Sequence, residues 1–392
     1  MDIKVLKNLG DVRCEHINDE FILIIEKNLD KKLDRFISDK VCILNPATGE
    51  KTEIASDIDK YFVDDIIYAS DSRDYVAFPT AAVTGDNEMT ITYYIYNLKD
   101  SSLKQLHSMT ADIDSFRKKY IARAFVLDDT HLLIQKETKD YKTGGSSFEL
   151  VLYNWATGAV NDISIPVLTE NGIYSLIPLG NNQCLVKIGS PFIAESIHFN
   201  TPAPAPKETI GIIPINQFIS ELSINMETSP IKIVESSREN TTIPYVRFNG
   251  TQIIYAIYYI GDDKEEIIVY DIETGSRTVR LNTKVSRLND LKHTFVVNGT
   301  PYIVTASSTR HSKVINLDTQ KVVIKLDIGD DIPFVTGNFA VISRNKKKMF
   351  GQKSEYVEVY QFPDIYTDPV LSIKASFGGA MLTGEDLIII TK

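Results

Sequence analysis

The side chains best suited to chemistry in this sequence are basic and lie close together along the chain. Arg344-Asn345-Lys346-Lys347-Lys348 is one run, and Arg310-His311-Ser312-Lys313 is a second, one repeat earlier. Like charges held together repel one another and attract an anion that relieves the repulsion. Carboxylates and phosphates are the groups such donors recognise. Arg310, His311, Arg344, Lys346, Lys347 and Lys348 are therefore the candidate binding residues, suited to an acidic peptide, a phosphate or a nucleic-acid backbone. Lys27, Lys31, Lys32 and Arg35 add to the same sector, diluted by Asp30 and Asp34. The bland alternative is a solvated charged face.

Carboxylates gather at the joints between repeats: Asp57, Asp59, Asp64 and Asp65; Asp112 and Asp114; Asp327, Asp330 and Asp331. Hard cations are bound by such oxygens, but no single loop has calcium-loop spacing, so no metal is expected. No Gly-x-Ser-x-Gly elbow, His-Glu-x-x-His, P-loop, Gly-x-Gly-x-x-Gly or Cys-x-x-Cys occurs. No catalytic residue and no cofactor is assigned on this basis. His16 and His131 fall in turns and are expected to be exposed, as is His198. His107 and His293 fall in or beside strands and are expected to be partly buried.

The elements that would position these residues recur. A β-rich run, then Asn or Asp, then often Thr-Gly, appears at Asn45, Asn97, Asn154 and Asp271, with weaker copies at Asn316 and Gln361 and a degenerate one at Asn216. An Asn or Asp side chain bonds its own backbone two residues on, and Gly supplies the positive φ that closes a hairpin. A second tight turn lies between copies, at Asn249-Gly250, Asn298-Gly299, Gly180-Asn181-Asn182 and Gly337-Asn338. Each unit is thus two hairpins, with strands a, b, c and d. Ile212 to Asn216 is read as a degenerate c–d hairpin, and Asp112 to Tyr120 as the one plausible short helix.

Seven c–d hairpins accompany eight a–b hairpins, the last running into Leu387-Ile388-Ile389-Ile390. Ile3-Lys4-Val5-Leu6 has the character of a d strand. Both are explained if the first strand completes the last sheet and no edge stays open. The expected fold is all-β, an eight-bladed β-propeller of four-stranded antiparallel sheets forming one domain over residues 1–392. Strands from both termini would close a last blade of three strands, and seven blades is the alternative count. Asp71-Ser72-Arg73-Asp74-Tyr75-Val76-Ala77-Phe78 resembles the Ser-Pro-Asp-Gly turn of TolB-like and prolyl-oligopeptidase propellers, with Pro and Gly replaced. The Asn/Asp-x-x-Thr-Gly hairpins resemble those of YVTN-type repeats within the broad WD-repeat superfamily, although Gly-His and Trp-Asp signatures are absent. The resemblance implies a fold and no activity.

Composition bounds the rest. The chain has 392 residues, 43% hydrophobic and 24% charged, enough for a sizeable core. Forty-two basic against 52 acidic side chains leave −10, which argues against a general nucleic-acid or membrane-surface binder. No stretch has the length or apolarity of a transmembrane helix, and Met1-Asp2-Ile3-Lys4 lacks a signal peptide's apolar core. Three scattered cysteines suit a reducing compartment, so a cytoplasmic location is expected unless a leader was trimmed.

The b–c connections are read as long loops: Glu26 to Asp39, Pro79 to Glu88, Glu137 to Ser147, Gly189 to Thr209 and Arg344 to Ser354. Long loops on a rigid scaffold are where binding residues sit. Within the longest, Pro202-Ala203-Pro204-Ala205-Pro206 would be extended and stiff, as a lid, an arm or a plain solvated insertion. The expected function is a non-catalytic scaffold binding a protein or peptide partner on this face. The alternative is a propeller enzyme, a lyase or hydrolase with its site at the central channel mouth. The oligomeric state is not legible.

Overall fold

A computed structural model describes the chain except for residues 31–34, 57–65, 70–72, 113–121, 140–145, 190–206, 228–231, 285–290, 308–309, 337–338 and 348–352, and residues 1, 8, 10, 11, 87, 261, 263, 363, 366, 367, 384 and 385. Its strands form eight small sheets. The first holds β2 (Val12–His16), β3 (Ile22–Asp30), β4 (Arg35–Leu44) and β5 (Lys51–Ser56). The second holds β7 (Tyr75–Val83), β8 (Glu88–Asn97) and β9 (Leu103–Asp112). The third holds β6 (Ile66–Tyr68), β10 (Ala122–Val126), β11 (His131–Lys139), β12 (Ser146–Asn154) and β13 (Ala159–Ile163). The fourth runs β14 (Ile173–Gly180), β15 (Gln183–Ile188), β16 (Thr209–Pro214) and β17 (Lys232–Ser236).

The fifth contains β18 (Thr241–Asn249), β19 (Gln252–Tyr259), β20 (Lys264–Asp271) and β21 (Arg277–Lys284). The sixth contains β22 (Leu291–Val297), β23 (Thr300–Ser307), β24 (Arg310–Asn316) and β25 (Val322–Ile328). The seventh contains β26 (Asp331–Thr336), β27 (Phe339–Lys347), β28 (Lys353–Gln361) and β29 (Leu371–Ile373). The eighth joins β30 (Phe377–Thr383) and β31 (Asp386–Thr391) to β1 (Ile3–Leu6). The architecture is an eight-bladed β-propeller.

The turn chemistry is as the repeats require. Asn45 Oδ1 accepts from the Ala47 and Thr48 amides, and Gly49, at φ 75°, donates to the Asn45 carbonyl. Asn154 does the same with Ala156, Thr157 and Gly158, and Asn316 with Asp318 and Thr319. At Asn298-Gly299 both residues have positive φ, the requirement of a two-residue hairpin that matches strand twist. Closure is also as expected: β1 runs parallel to β31, from Ile3 opposite Leu387 to Leu6 opposite Ile390.

Three expectations are corrected. Among the described residues the second sheet has three strands and not four, because β6 pairs with β10 in parallel. The Tyr68 hydroxyl, at the end of β6, donates to the Ala77 carbonyl and accepts from the Ala77 amide, each at 3.0 Å. One phenol thus satisfies both Ala77 groups, which a fourth strand would otherwise have paired. Next, Ile212 to Asn216 is not a hairpin: β16 passes into helix α2 (Ile215–Ser223), whose Ile215, Phe218, Ile219 and Leu222 face the core at helical spacing. Another short helix, α1 (Pro166–Asn171), precedes β14, while Asp112 ends β9 and 113–120 lie outside the described residues. Finally, the supposed long loops are partly strand. Pro79–Val83, Glu137–Lys139 with Ser146–Ser147, and Arg344–Lys347 with Lys353–Ser354 belong to the β7–β8, β11–β12 and β27–β28 hairpins, while residues 140–145 and 348–352 lie outside the described residues.

The chain divides into two compact units. One comprises Met1–Glu26, Ile43–Lys51 and Pro244–Lys392. Its core packs the sixth sheet on the seventh, with Phe295, Tyr302 and Phe362 ring centroids 5.2–5.3 Å apart. The other comprises Lys27–Cys42 and Thr52–Ile243. Its core packs Phe125, Leu133 and Leu152 of the third sheet with Val186 and Ile213 of the fourth, and with α1 and α2.

Candidate functional site

The basic sector is built on the start of β24 and the end of β27, both at the b–c ends of their sheets. Arg344 is not presented to solvent as an available cation. Its Nε donates to Glu358 Oε2 at 2.6 Å, Nη1 to Asp330 Oδ2 at 3.2 Å, and Nη2 to the Tyr360 hydroxyl at 3.3 Å. Tyr360 in turn donates to Glu358 Oε2 at 2.6 Å. Burial, and then the Glu358 carboxylate, hold the Tyr360 phenol above its ordinary value. Asp330 and Glu358 are both buried, so the guanidinium is compensated twice over.

Asp330 also joins the two basic runs. Its carbonyl accepts from Ser312 Oγ on β24 at 2.6 Å, and its Oδ1 from the Asn345 amide on β27 at 2.9 Å. His311 and Arg344 are thus brought to one locality, with His311 Nδ1 2.6 Å from the Leu326 carbonyl. A carbonyl accepts only, so the proton sits on Nδ1. Arg310 opens β24 opposite Ser307. Lys346 and Lys347 occupy the last two pairs of the β27–β28 hairpin, opposite Ser354 and Lys353. Lys348 lies outside the described residues, as do Lys31, Lys32, His198, Asp57, Asp59, Asp64, Asp65 and the Pro202–Pro206 run.

Sequence reasoning missed a second polar cluster, built within the unit that contains Thr52–Ile243 from the third and fourth sheets and the first residues of β18. Lys187 on β15 is 0% exposed and its Nζ lies 2.8 Å from Glu208 Oε1. The contact is ionic: the geometry is off the line along which an ammonium N–H donates. Glu208 Oε2 accepts from Thr242 Oγ1 at 2.5 Å and from the Ile243 amide at 2.7 Å, tying β16 to β18. The Tyr174 ring covers Lys187 Nζ at 4.1 Å, and Arg123 donates to the Tyr174 carbonyl at 2.8 Å. Burial drives the Lys187 ammonium below the usual lysine range; Glu208 opposes the shift and Arg123 adds to it. The available signal was a lone lysine inside the apolar run Cys184-Leu185-Val186-Lys187-Ile188.

His131 resembles one half of a catalytic pair and is wired as a brace. Its Nδ1 is 3.0 Å from both Asp128 oxygens, and its Nε2 accepts from Asn154 Nδ2 at 2.8 Å. Asn154 cannot flip, because its Oδ1 already caps the turn amides of Ala156 and Thr157. Both ring nitrogens are occupied, and the expectation of an exposed His131 is corrected. His107 is half-buried against Tyr153, and burial, opposed by Asp162, lowers its pKa. Burial likewise pushes the Cys14 and Cys184 thiols up to about 12, so neither supplies a thiolate near neutrality. Among the described residues no three His, Cys, Asp or Glu side chains are grouped to hold a metal ion.

No family model and no curated protein matches the sequence. Solved structures do. A Porphyromonas gingivalis dipeptidyl peptidase 4 superposes with TM-score 0.53 at 13% identity, over 93% of this chain and 52% of that one. The likeness is one of fold. The chain therefore spans about half the length of that peptidase. Two further likenesses are weaker: the β-propeller domain of a trilobed protease from Pyrococcus furiosus (TM-score 0.43, 13% identity, 92% and 98% coverage) and an oligogalacturonate lyase from Vibrio parahaemolyticus (0.45, 10%, 91% and 93%).

Proposed function

We propose that this propeller is a non-catalytic scaffold that holds a protein or peptide partner on the hairpins at the b–c ends of its sheets. The observation that carries this is the reach of those hairpins beyond their flanking strands. Among the described residues β10 pairs with β11 as far as Lys136, and β13 with β12 as far as Leu150. The β11–β12 ladder continues through Glu137–Phe148, Thr138–Ser147 and Lys139–Ser146, about 10 Å at the usual rise per residue. The β27–β28 ladder runs on from Ser343–Val357 through four more pairs to Lys347–Lys353, about 13 Å. Such paired ribbons hold their side chains in fixed alternation, as a binding edge requires. The Lys346–Lys348 segment would give one ribbon its preference for an acidic partner.

The test shortens each ribbon. Residues 137–148 would be replaced by Asn-Gly in one variant and residues 346–354 in another, a dipeptide that closes two-residue hairpins. Captured from the native source and identified by mass spectrometry, the partner set of at least one shortened variant should lose members held by the intact protein. Identical sets at unchanged stability would overturn the proposal.

A propeller enzyme, lyase or hydrolase, is the second reading. The convergence of Arg123, Tyr174, Lys187 and Glu208 from two sheets supports it, as does a peptidase among the fold neighbours. Complete burial of Lys187 and Glu208 weighs against it, since neither can touch a substrate without movement. No helix among the described residues is long and apolar enough to cross a membrane.

A further inference from the structure

We infer that the outer edge of β25 is a docking strand for an extended peptide carrying an acidic residue opposite Lys325. The argument begins with a row across the sixth sheet. The register sets Thr305 opposite Lys313 and Lys313 opposite Lys325, so two lysines stand directly across from each other on neighbouring strands. Like charges so placed destabilise the pairing. Among the described residues neither lysine has a carboxylate within ion-pair distance. The row ends at β25 because that strand is outermost in its sheet. A strand added there would place its own residue next in the row, and a carboxylate at that position would stand beside Lys325.

The edge itself is suited to an added strand. Unpaired backbone groups along an outermost strand accept a peptide in β-geometry, and flanking side chains give it specificity. Val322 and Ile328, near the two ends of β25, are 50% and 57% exposed, leaving apolar surface on either side of Lys325. Elsewhere an outer strand is closed off: on β13, Asn225 Nδ2 donates to the Asp162 carbonyl and its Oδ1 accepts from the Ser164 amide. The side chain of Asn225 thus takes two of the groups that an incoming strand would need. Among the described residues no side chain plugs β25 in this way, although near its end the Asp327 carbonyl is taken by the Asp330 amide at 3.1 Å. Asp327, two residues beyond Lys325, is the one acidic group on this strand, and it disfavours a second carboxylate at its own level. The expected ligand therefore carries one central acid flanked by β-formers rather than an acidic run.

The proposal stands apart from the hairpin reading, since β25 is no part of the b–c ribbons. A nine-residue, fluorescently labelled peptide alternating Val and Thr with a central Glu is the probe, compared with central Gln and central Lys versions. Anisotropy titrations should rank Glu above Gln above Lys, with a step of about threefold to fivefold between Glu and Gln at low salt. The Lys325→Glu variant should reverse the ranking and take the Lys peptide best. N-methylation of alternate peptide amides should abolish binding, while hydrogen exchange should slow at β25 and not at β13. Equal affinity for the three peptides, an unreversed ranking in Lys325→Glu, or protection elsewhere would overturn the inference. The partner-capture result does not bear on it.

Discussion

Replacing Glu208 with Gln should cost more than replacing Lys187 with Met, and the difference should depend on pH. Glu208→Gln leaves a buried ammonium facing the Tyr174 ring and no carboxylate, and weakens the acceptor for Thr242 Oγ1 and the Ile243 amide. Breaking a buried pair in this way costs about 3–5 kcal/mol. There is a ceiling. Lys187 can shed its proton, and doing so at pH 7 from an ordinary pKa near 10.4 costs about 4–5 kcal/mol at about 1.4 kcal/mol per unit. Lys187→Met leaves a carboxylate still bonded to Thr242 and Ile243, while the thioether fills the volume of the lysine stem. Its cost should stay near or below about 2 kcal/mol, and the double variant should recover most of what Glu208→Gln loses.

The sign of the pH effect follows from linkage. The folded-state pKa of Lys187 is depressed, and removing Glu208 depresses it further. Between that value and the ordinary lysine value the unfolded chain holds more protons, so stability rises with pH by up to about 1.4 kcal/mol per unit. Above the wild-type value both chains gain alike, so the deficit of Glu208→Gln should shrink as the pH rises through the interval between the two folded-state values, whereas that of Lys187→Met should not. At about 2.1 cal/mol/K per residue, 4 kcal/mol lowers Tm by about 5 °C if all 392 residues unfold together. The fall would be roughly twice as large if only the unit containing the pair unfolds. Calorimetry at pH 7.0 and 9.5 separates these cases. A pH-independent deficit in Glu208→Gln, or a Lys187→Met deficit of equal size, would refute the reasoning.

Tyr68→Phe should lower stability by about 2–4 kcal/mol by leaving the buried Ala77 amide and carbonyl unpaired, read from urea midpoints. An unchanged midpoint would mean that water reaches β7 and takes the place of the phenol. Gly189→Ala should be destabilising whatever the space allowed, because φ is +88° and an added Cβ would lie 2.5 Å from the Lys207 carbonyl. Wild-type thermal stability in that variant would contradict the geometry of the β15–β16 stem. Removing residues 1–8 should lower Tm sharply, since it strips β1 from β31 and exposes a strand edge. A truncated chain melting like the intact one would show that β31 gains little from the pairing.

How much of this was legible depends on how far apart the interacting residues lie. Asn45, Asn154, Asp271 and Asn316 were readable because an Asx turn is made within four residues, and the chain repeats it. The pairing of Ile3 with Leu387 was readable for another reason: an unequal count of hairpins demands a strand from somewhere. Helix α2 was readable and missed, since Ile215, Phe218, Ile219 and Leu222 already stand at helical spacing behind the Pro214 that suggested a turn. The Lys187–Glu208 pair was beyond sequence, because a segment of variable polarity separates the partners and only the β15–β16 register reunites them. Arg344 shows the general difficulty. In sequence it heads a basic run; in the fold it lies between Asp330, 14 residues before it, and Glu358, 14 residues after it. Strand alternation sends successive residues to opposite faces, so a run of charges in sequence is divided between two surfaces in space. Lys325, unremarkable in the sequence, is made the neighbour of Lys313 by the cross-strand register. In a protein of short hairpins the electrostatics belong to the cross-strand rows, and a cation becomes a ligand candidate only when the residues beside it on the adjoining strands are known.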